Sequence, residues 1–222
     1  EGVYGLYNLK GEKVGSIGKD LGTAFPFLAD FIDKYKQMPP LGYIDNEEAV
    51  FSLWGKYYCY NYKTQKAVAT ISVPENAENE EYNPVSRTVA YTLDNNLYLA
   101  TAEAEKIAVT AIEDENIVSG RAINRNEFGI NKGTFFSPKG NFLAFYQKDE
   151  TMVTDYPLVD ITTTPASLTN IKYPMAGQHS ERAAVGVYNL KTKGLSYLDI
   201  DTSDEHFLTN LAWSPDERYI LL

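Results

Sequence analysis

Covalent catalysis needs a nucleophile with a base beside it, and this sequence is poor in both. It holds two histidines, His179 and His206, and a single cysteine, Cys59. The elbow that presents a catalytic serine reads G-x-S-x-G. Gly194-Leu195-Ser196-Tyr197-Leu198 comes nearest and fails at its last position. His206 sits in the polar run Asp204-Glu205-His206-Phe207 and His179 in Gln178-His179-Ser180-Glu181. No serine or thiol is indicated beside either, so both read as surface residues. Cys59 lies in Tyr57-Tyr58-Cys59-Tyr60. A reactive thiolate needs a setting that lowers its pKa, so in a strand-like aromatic run Cys59 reads as a small buried hydrophobe. Two histidines without paired cysteines make no zinc site. Asp199-x-Asp201-x-Ser203 imitates the start of a calcium loop, but Asp204 stands where glycine must make the turn. No metal and no cofactor is expected.

The surrounding elements are mostly strands. The chain has 222 residues, 44% of them hydrophobic, with 17 Tyr and 10 Phe. Aromatics suit pleated, half-buried surfaces, so the composition leans towards β. The helical candidate is Phe25–Tyr35, where Phe27, Leu28, Phe31 and Tyr35 recur at helical spacing and Pro39-Pro40 forms a stop. Strands are expected over Val50–Leu53, Tyr57–Tyr62, Ala67–Val73, Thr88–Leu93, Leu97–Ala100, Phe142–Gln147, Ala184–Leu190, Leu195–Ile200 and Arg218–Leu222. Asp94-Asn95-Asn96 reads as a hairpin turn, and the acidic run Glu75–Glu81 as a solvated loop. A formal net charge of −10 repels phosphate backbones and argues against a nucleic-acid partner. No apolar run approaches the ~20 residues that span a bilayer.

A weak repeat runs through these strands. Phe136-Ser137-Pro138-Lys139-Gly140-Asn141-Phe142 and Trp213-Ser214-Pro215-Asp216-Glu217-Arg218-Tyr219 are two copies, and Tyr82-Asn83-Pro84-Val85-Ser86-Arg87-Thr88 is a looser third. Each sets a proline turn ahead of an apolar strand. A Tyr-Asn pair recurs at Tyr7-Asn8, Tyr60-Asn61 and Tyr188-Asn189. Such repeats suit a β-propeller, whose four-stranded antiparallel blades take about 40–45 residues each, so the chain holds about four to five blades. Pro84, Pro138 and Pro215 are 54 and 77 residues apart. The second interval is too long for one plain blade, which makes Lys148–Arg182 an insertion or an elaborated connection. A β-sandwich with coincidental Ser-Pro turns is the competing fold.

Gly120-Arg121-Ala122-Ile123-Asn124-Arg125-Asn126-Glu127-Phe128-Gly129-Ile130, followed by Lys132-Gly133-Thr134-Phe135-Phe136-Ser137-Pro138-Lys139-Gly140, resembles a signature of the dipeptidyl peptidase IV family. Tyr173-Pro174-Met175-Ala176-Gly177 and Phe207-Leu208-Thr209-Asn210-Leu211-Ala212-Trp213-Ser214-Pro215 extend the match. The bacterial branch, which includes prolyl tripeptidyl peptidases, is the most similar. The resemblance covers Gly120–Leu222. It implies an incomplete part of an N-terminal eight-bladed propeller over residues 1–222, with the remaining blades and a C-terminal α/β-hydrolase domain outside this chain. It also implies a serine exopeptidase that releases Xaa-Pro dipeptides or Xaa-Xaa-Pro tripeptides from free N-termini. With no elbow serine of its own, the chain alone is expected to be inactive.

In that family the propeller supplies carboxylates that hold the substrate's free N-terminus, and Glu127 matches the bacterial glutamate. An α-amino group has a pKa near ~7.7–8.0 and is mostly cationic at neutral pH, so a fixed carboxylate binds it by charge-assisted hydrogen bonds. Asn124, Arg125 and Asn126 are secondary candidates to line the same cavity. A bland alternative is an exposed Glu127 paired with Arg121 or Arg125. Mammalian members carry consecutive glutamates where this chain has Asn126-Glu127, and a single acid suits the tripeptidyl branch. Tyr173–Gly177 reads as a structural turn, and Phe135 and Phe136 as core. A non-enzymatic propeller that binds a protein or ligand is the alternative from another class. A carbohydrate-acting propeller would need paired carboxylates that no constellation selects.

Glu1 at the start and the apolar run Tyr219–Leu222 at the end read as cuts in a longer protein. Sheet edges exposed there would favour self-association into a homo-oligomer. The expected partners are a proline-containing peptide with a free N-terminus and the protein's own hydrolase domain. The resemblance implies export to the periplasm or cell surface.

Overall fold

Asparagine and proline punctuation decides where these strands begin and end. The structure, a computed structural model, describes residues 3–18, 20–201 and 207–222, with Arg125 described by its backbone. His206 and the Ser203-Asp204 end of the calcium-like run lie outside the described residues. The chain divides into two compact units, Glu1–Ala77 with Ala100–Lys106, and Glu78–Leu99 with Ile107–Leu222.

In the first unit, β1 (Tyr4–Tyr7) pairs with β2 (Lys13–Ile17). Asn8 makes the turn, its Oδ1 accepting the N–H groups of Lys10 at 2.9 Å and Glu12 at 3.0 Å. A short helix, α1 (Leu21–Ala24), precedes α2 (Pro26–Tyr35). Proline presets the first helical φ, so α2 starts at Pro26 rather than at Phe25. It ends before the expected proline stop, at Lys36, which turns left-handed at φ 52°. Strands β3 (Leu41–Ile44), β4 (Glu48–Leu53), β5 (Lys56–Asn61) and β6 (Lys66–Ser72) form an antiparallel sheet in that order. Trp54 and Gly55, both at positive φ, make the two-residue turn from β4 to β5. Asn61 closes the next hairpin by accepting the Thr64 N–H at 2.8 Å. Leu21, Leu28, Phe51, Tyr58 and Tyr60 share the core of this unit, and Cys59 is fully buried, as expected.

The second unit opens with β7 (Glu78–Asn83), β8 (Thr88–Leu93), β9 (Asn96–Ala100) and β10 (Ile107–Ala108), an antiparallel meander. The run read as a solvated loop is thus half strand. Glu78 and Glu80 are exposed on this edge strand, Glu81 is half-buried, and the backbone pairs with β8. A further sheet takes β11 (Ile117–Ser119), β12 (Thr134–Phe136), β13 (Phe142–Asp149), β16 (Arg182–Asn189) and β17 (Leu195–Tyr197). Between β13 and β16 the chain leaves as a separate hairpin, β14 (Asp155–Asp160) with β15 (Ser167–Lys172). This hairpin is the insertion that the proline spacing implied. β18 (Ala212–Trp213) and β19 (Ile220–Leu221) pair last.

β13 explains why its sequence is apolar without alternation. Successive strand residues point to opposite faces. Leu143 and Phe145 pack on one side with Ala90, Leu97, Leu99 and Tyr188. Ala144 and Tyr146 pack on the other with Ile123, Ile130, Val185 and Leu211. A sheet covered on both faces fits stacked blades better than a two-layer sandwich. The architecture is nearly all-β, built from antiparallel sheets, and consistent with a propeller.

The repeated turns also fit against one another. Ser137 Oγ accepts the Phe142 N–H at 2.9 Å, and Ser214 Oγ accepts the Tyr219 N–H at 3.0 Å, the same geometry twice. The looser copy uses Asn83, whose Oδ1 accepts the Ser86 N–H at 2.8 Å. Gly140 sits so near this last turn that a Cβ would lie 3.0 Å from Asn83 Oδ1 and 3.1 Å from the Ser86 nitrogen. Glu217 of the Ser214 turn accepts the Lys139 N–H and the Asn141 side-chain amide, each at 2.6 Å.

Candidate functional site

The segment between β11 and β12 carries the four sequence candidates, and its shape follows from two isoleucines. Ile123 is fully buried and Ile130 nearly so, both in the core beneath β13. The six residues between them, Asn124–Gly129, form a 3-10 turn that is pushed towards solvent. Asn124, Asn126 and Phe128 take positive φ values of 50°, 61° and 55°, and Gly129 follows at 76°. Asparagine tolerates the left-handed region better than most residues, whereas phenylalanine does so only when its surroundings hold it. Here the Phe128 ring rests on Phe207, with centroids 4.8 Å apart.

Glu127 sits in the middle of this turn with its side chain exposed, and Asn126 is exposed beside it. The Glu127 carbonyl accepts the Ile130 N–H at 3.0 Å, which closes the turn. The Asn124 N–H donates to Glu181 Oε1 at 2.6 Å, while its side-chain Nδ2 is buried and unpaired among the described residues. The backbone of Arg125 lies in the same turn. All four candidates are therefore on one short segment. Arg121, the other cation near the motif, is engaged elsewhere. It pairs with Glu78 at 2.9 Å and donates to the Asp94 carbonyl at 3.0 Å.

A hollow of about 300 Å³ opens beside the turn, lined by Phe128, Gly129, Ile130, Phe135 and Tyr146 among others. Lys132 flanks it, paired with Glu81 at 2.6 Å and lying 5.0 Å from the Phe135 ring centroid. Glu81 also accepts the Thr134 hydroxyl at 2.5 Å, so the chain leaving the turn is tied to β7. Tyr146 donates to the Leu208 carbonyl at 2.8 Å. Burial pushes its hydroxyl above the usual phenol range, against a smaller lowering by a backbone hydrogen bond. Phe135 packs edge-on against Tyr146 and Phe136 borders the core; both are half-buried rather than core residues, and Phe135 also lines the hollow. His179 is exposed, and the Tyr173–Gly177 segment runs into a turn over Met175–Gln178, in which Gly177 takes φ 82°.

Sequence reasoning missed the groups that hold the turn. Glu181, Lys148 and Glu150 form a mostly buried charged cluster, with Lys148 Nζ 2.7 Å from Glu150 and 3.6 Å from Glu181. Glu181 is 57 residues from Asn124 in sequence, and no local pattern points from one to the other.

This geometry can be set against known proteins. Residues 44–222 match the family model described as the dipeptidyl peptidase IV N-terminal region. The protein assigned as dipeptidyl-aminopeptidase B in Neurospora crassa is 24% identical over 184 residues, 73% of this chain and 20% of its own length. Its counterpart in Phaeosphaeria nodorum is 25% identical over 194 residues, 77% of this chain and 21% of its own length. A crystal structure from Bacteroides ovatus, assigned as a dipeptidyl aminopeptidase IV, superposes with a TM-score of 0.72 at 47% identity, over 81% of this chain and 25% of that one. Porphyromonas gingivalis dipeptidyl peptidase 4 shares the fold, with a TM-score of 0.51 at 21% identity over 73% of this chain and 24% of that one. The chain thus spans about a fifth of these curated relatives and about a quarter of these solved chains.

Proposed function

The chain belongs to the dipeptidyl peptidase IV N-terminal region family, and on that footing we propose that it is the substrate-selecting propeller domain of a serine exopeptidase. The four-stranded sheets are read as blades of an eight-bladed ring. The catalytic domain lies in the rest of the parent protein, which acts outside the cytoplasm on Xaa-Pro or Xaa-Xaa-Pro N-termini. This chain contributes selection and no cleavage chemistry.

Glu127 is the group that selects. The observation that carries this reading is the turn itself: a carboxylate held out to solvent at the centre of a segment whose backbone is forced left-handed on either side. Such strain persists only where the surroundings over-determine it, and it concentrates at functional sites. A carboxylate carried on a backbone fixed in this way pairs with the cationic α-amino group of a peptide. If it lies at a set distance from the nucleophile, it measures where proline falls relative to the scissile bond. A peptide with a blocked N-terminus would leave the carboxylate without its partner.

The test is Glu127→Gln in the full-length protein, assayed on chromogenic Xaa-Pro and Xaa-Xaa-Pro substrates. Hydrogen bonds to charged groups contribute about 1.5–3 kcal/mol, so kcat/KM should fall about 10- to 100-fold for free N-termini. Blocked peptides, already poor substrates, should be unaffected. Unchanged kcat/KM together with unchanged discrimination against blocked peptides would remove Glu127 from the mechanism.

A further inference from the structure

We infer that Glu181 is the positioning residue for the Glu127 turn, acting as an anchor supplied by the sheet. The functional half of this inference rests on the reading of Glu127 given above. Three observations lead to it.

First, both Glu181 oxygens are committed. Oε1 accepts the Asn124 N–H at 2.6 Å, and Oε2 lies 3.6 Å from Lys148 Nζ. The side chain of Glu181 is only 9% exposed, and those of Lys148 and Glu150 are 17% and 13% exposed. Charges buried to this degree persist only when paired and hydrogen-bonded. The cluster is also too enclosed for Glu181 to reach a substrate, so Glu181 acts through the turn.

Second, the turn caps itself only in part: the Ile123 carbonyl accepts the Asn126 N–H at 3.2 Å, which leaves the Asn124 N–H without a partner inside the turn. Ile123 precedes it and offers no side-chain hydrogen bond to its first N–H groups. Those donors need an acceptor from elsewhere, and Glu181 provides one at Asn124, the first of the left-handed residues.

Third, Glu181 and Lys148 are held by rigid elements. Glu181 immediately precedes β16, and Lys148 lies in β13 opposite Ala183, one step from the Asp149–Arg182 pair. The sheet register therefore fixes the anchor, and the anchor fixes where the strained turn begins. At the far end the exposed Phe128 ring lies against Phe207.

The experiment uses the full-length protein with Glu181→Ala and Glu181→Gln. Amide hydrogen exchange over residues 121–130 reports positioning. Losing a charge-assisted bond should speed exchange there about 10- to 100-fold in E181A. In E181Q, which keeps a neutral acceptor, the rise should be about 3- to 10-fold. Exchange at wild-type rates in E181A overturns the inference. If E181A does not fold, wild-type exchange in E181Q does the same. Kinetics then separate the two claims. E181A should raise KM for free N-termini and leave kcat nearly unchanged, and this effect should vanish when E127Q is already present. If exchange rises while E127Q and E181A both leave kcat/KM unchanged, the anchor stands and the substrate role of Glu127 falls. If E127Q impairs binding while E181A changes neither exchange nor KM, Glu127 stands and the anchor falls.

Discussion

Replacing Gly186 with alanine should destabilise the protein by jamming one aromatic ring. Gly186 faces Phe145 directly across the β13–β16 ladder. A Cβ there would lie 2.4 Å from Cζ, 2.6 Å from Cε1 and 2.9 Å from Cε2 of that ring. Ordinary contact begins at 3.4 Å, so the ring would have to retreat by about 1 Å. It has no room to do so. Phe145 is fully buried, packed among Ala90, Leu97 and Leu143, with Tyr197 edge-on at 6.3 Å. Forcing a methyl group into such a core costs about 1–3 kcal/mol. At about 2–4 °C per kcal/mol for a chain of this size, Tm should fall by about 2–12 °C. Thermal unfolding followed by near-ultraviolet circular dichroism measures it. The mechanism is checked by Phe145→Leu, which is damaging alone but should be less so beside G186A, because the smaller side chain makes room for the methyl group. A G186A Tm within about 1 °C of wild type would refute the reasoning, as would strict additivity of the two changes.

Gly133→Ala should be worse than G186A. Its Cβ would meet backbone rather than a ring, at 2.3 Å from the carbonyl carbon and oxygen of Arg121 and 2.5 Å from its nitrogen. Equal melting temperatures for the two variants would count against this. Glu217→Gln tests the contact between turns through pH. Burial alone would raise the Glu217 pKa, but hydrogen bonds from Ser137, Asn141 and the Lys139 N–H outweigh it and leave the group below its usual 4.5. A depressed folded pKa stabilises above the unfolded value and loses that contribution as pH falls through the folded one. The Tm gap between wild type and E217Q should therefore be full at neutral pH and close on acidification below about pH 4.5. A gap that does not change with pH would show that the carboxylate charge is not what holds the turns together.

Local chemistry made much of the fold legible. Thr88–Leu93 is a strand with the bounds that the flanking turn residues imply. The Tyr-Asn pairs work because asparagine accepts backbone N–H groups two to four residues on, as at Asn8, Asn61 and Asn189. The Glu78–Asn83 strand was hidden because an edge strand needs only backbone to pair, and its acids mimic a loop. The β14–β15 strands were hidden because every strand residue but Lys172 is exposed, so burial imposes no pattern on them. At the candidate site the exposed side chains could be named from the motif. The Glu181 anchor could not, because only the register of β13 with β16 brings it to Asn124.

The seating of Gly140 against the Asn83–Ser86 turn, and of Glu217 on the Lys139–Asn141 turn, has a consequence for how this unit assembles. Each hairpin tip offers its neighbour a mould, so a formed repeat lowers the entropy still to be lost by the next one. Contacts of this kind favour nearest-neighbour templating, as in linear repeat arrays. The same links make these turns carriers of cooperativity, so damage at one turn should loosen the adjoining one before it reaches more distant ones.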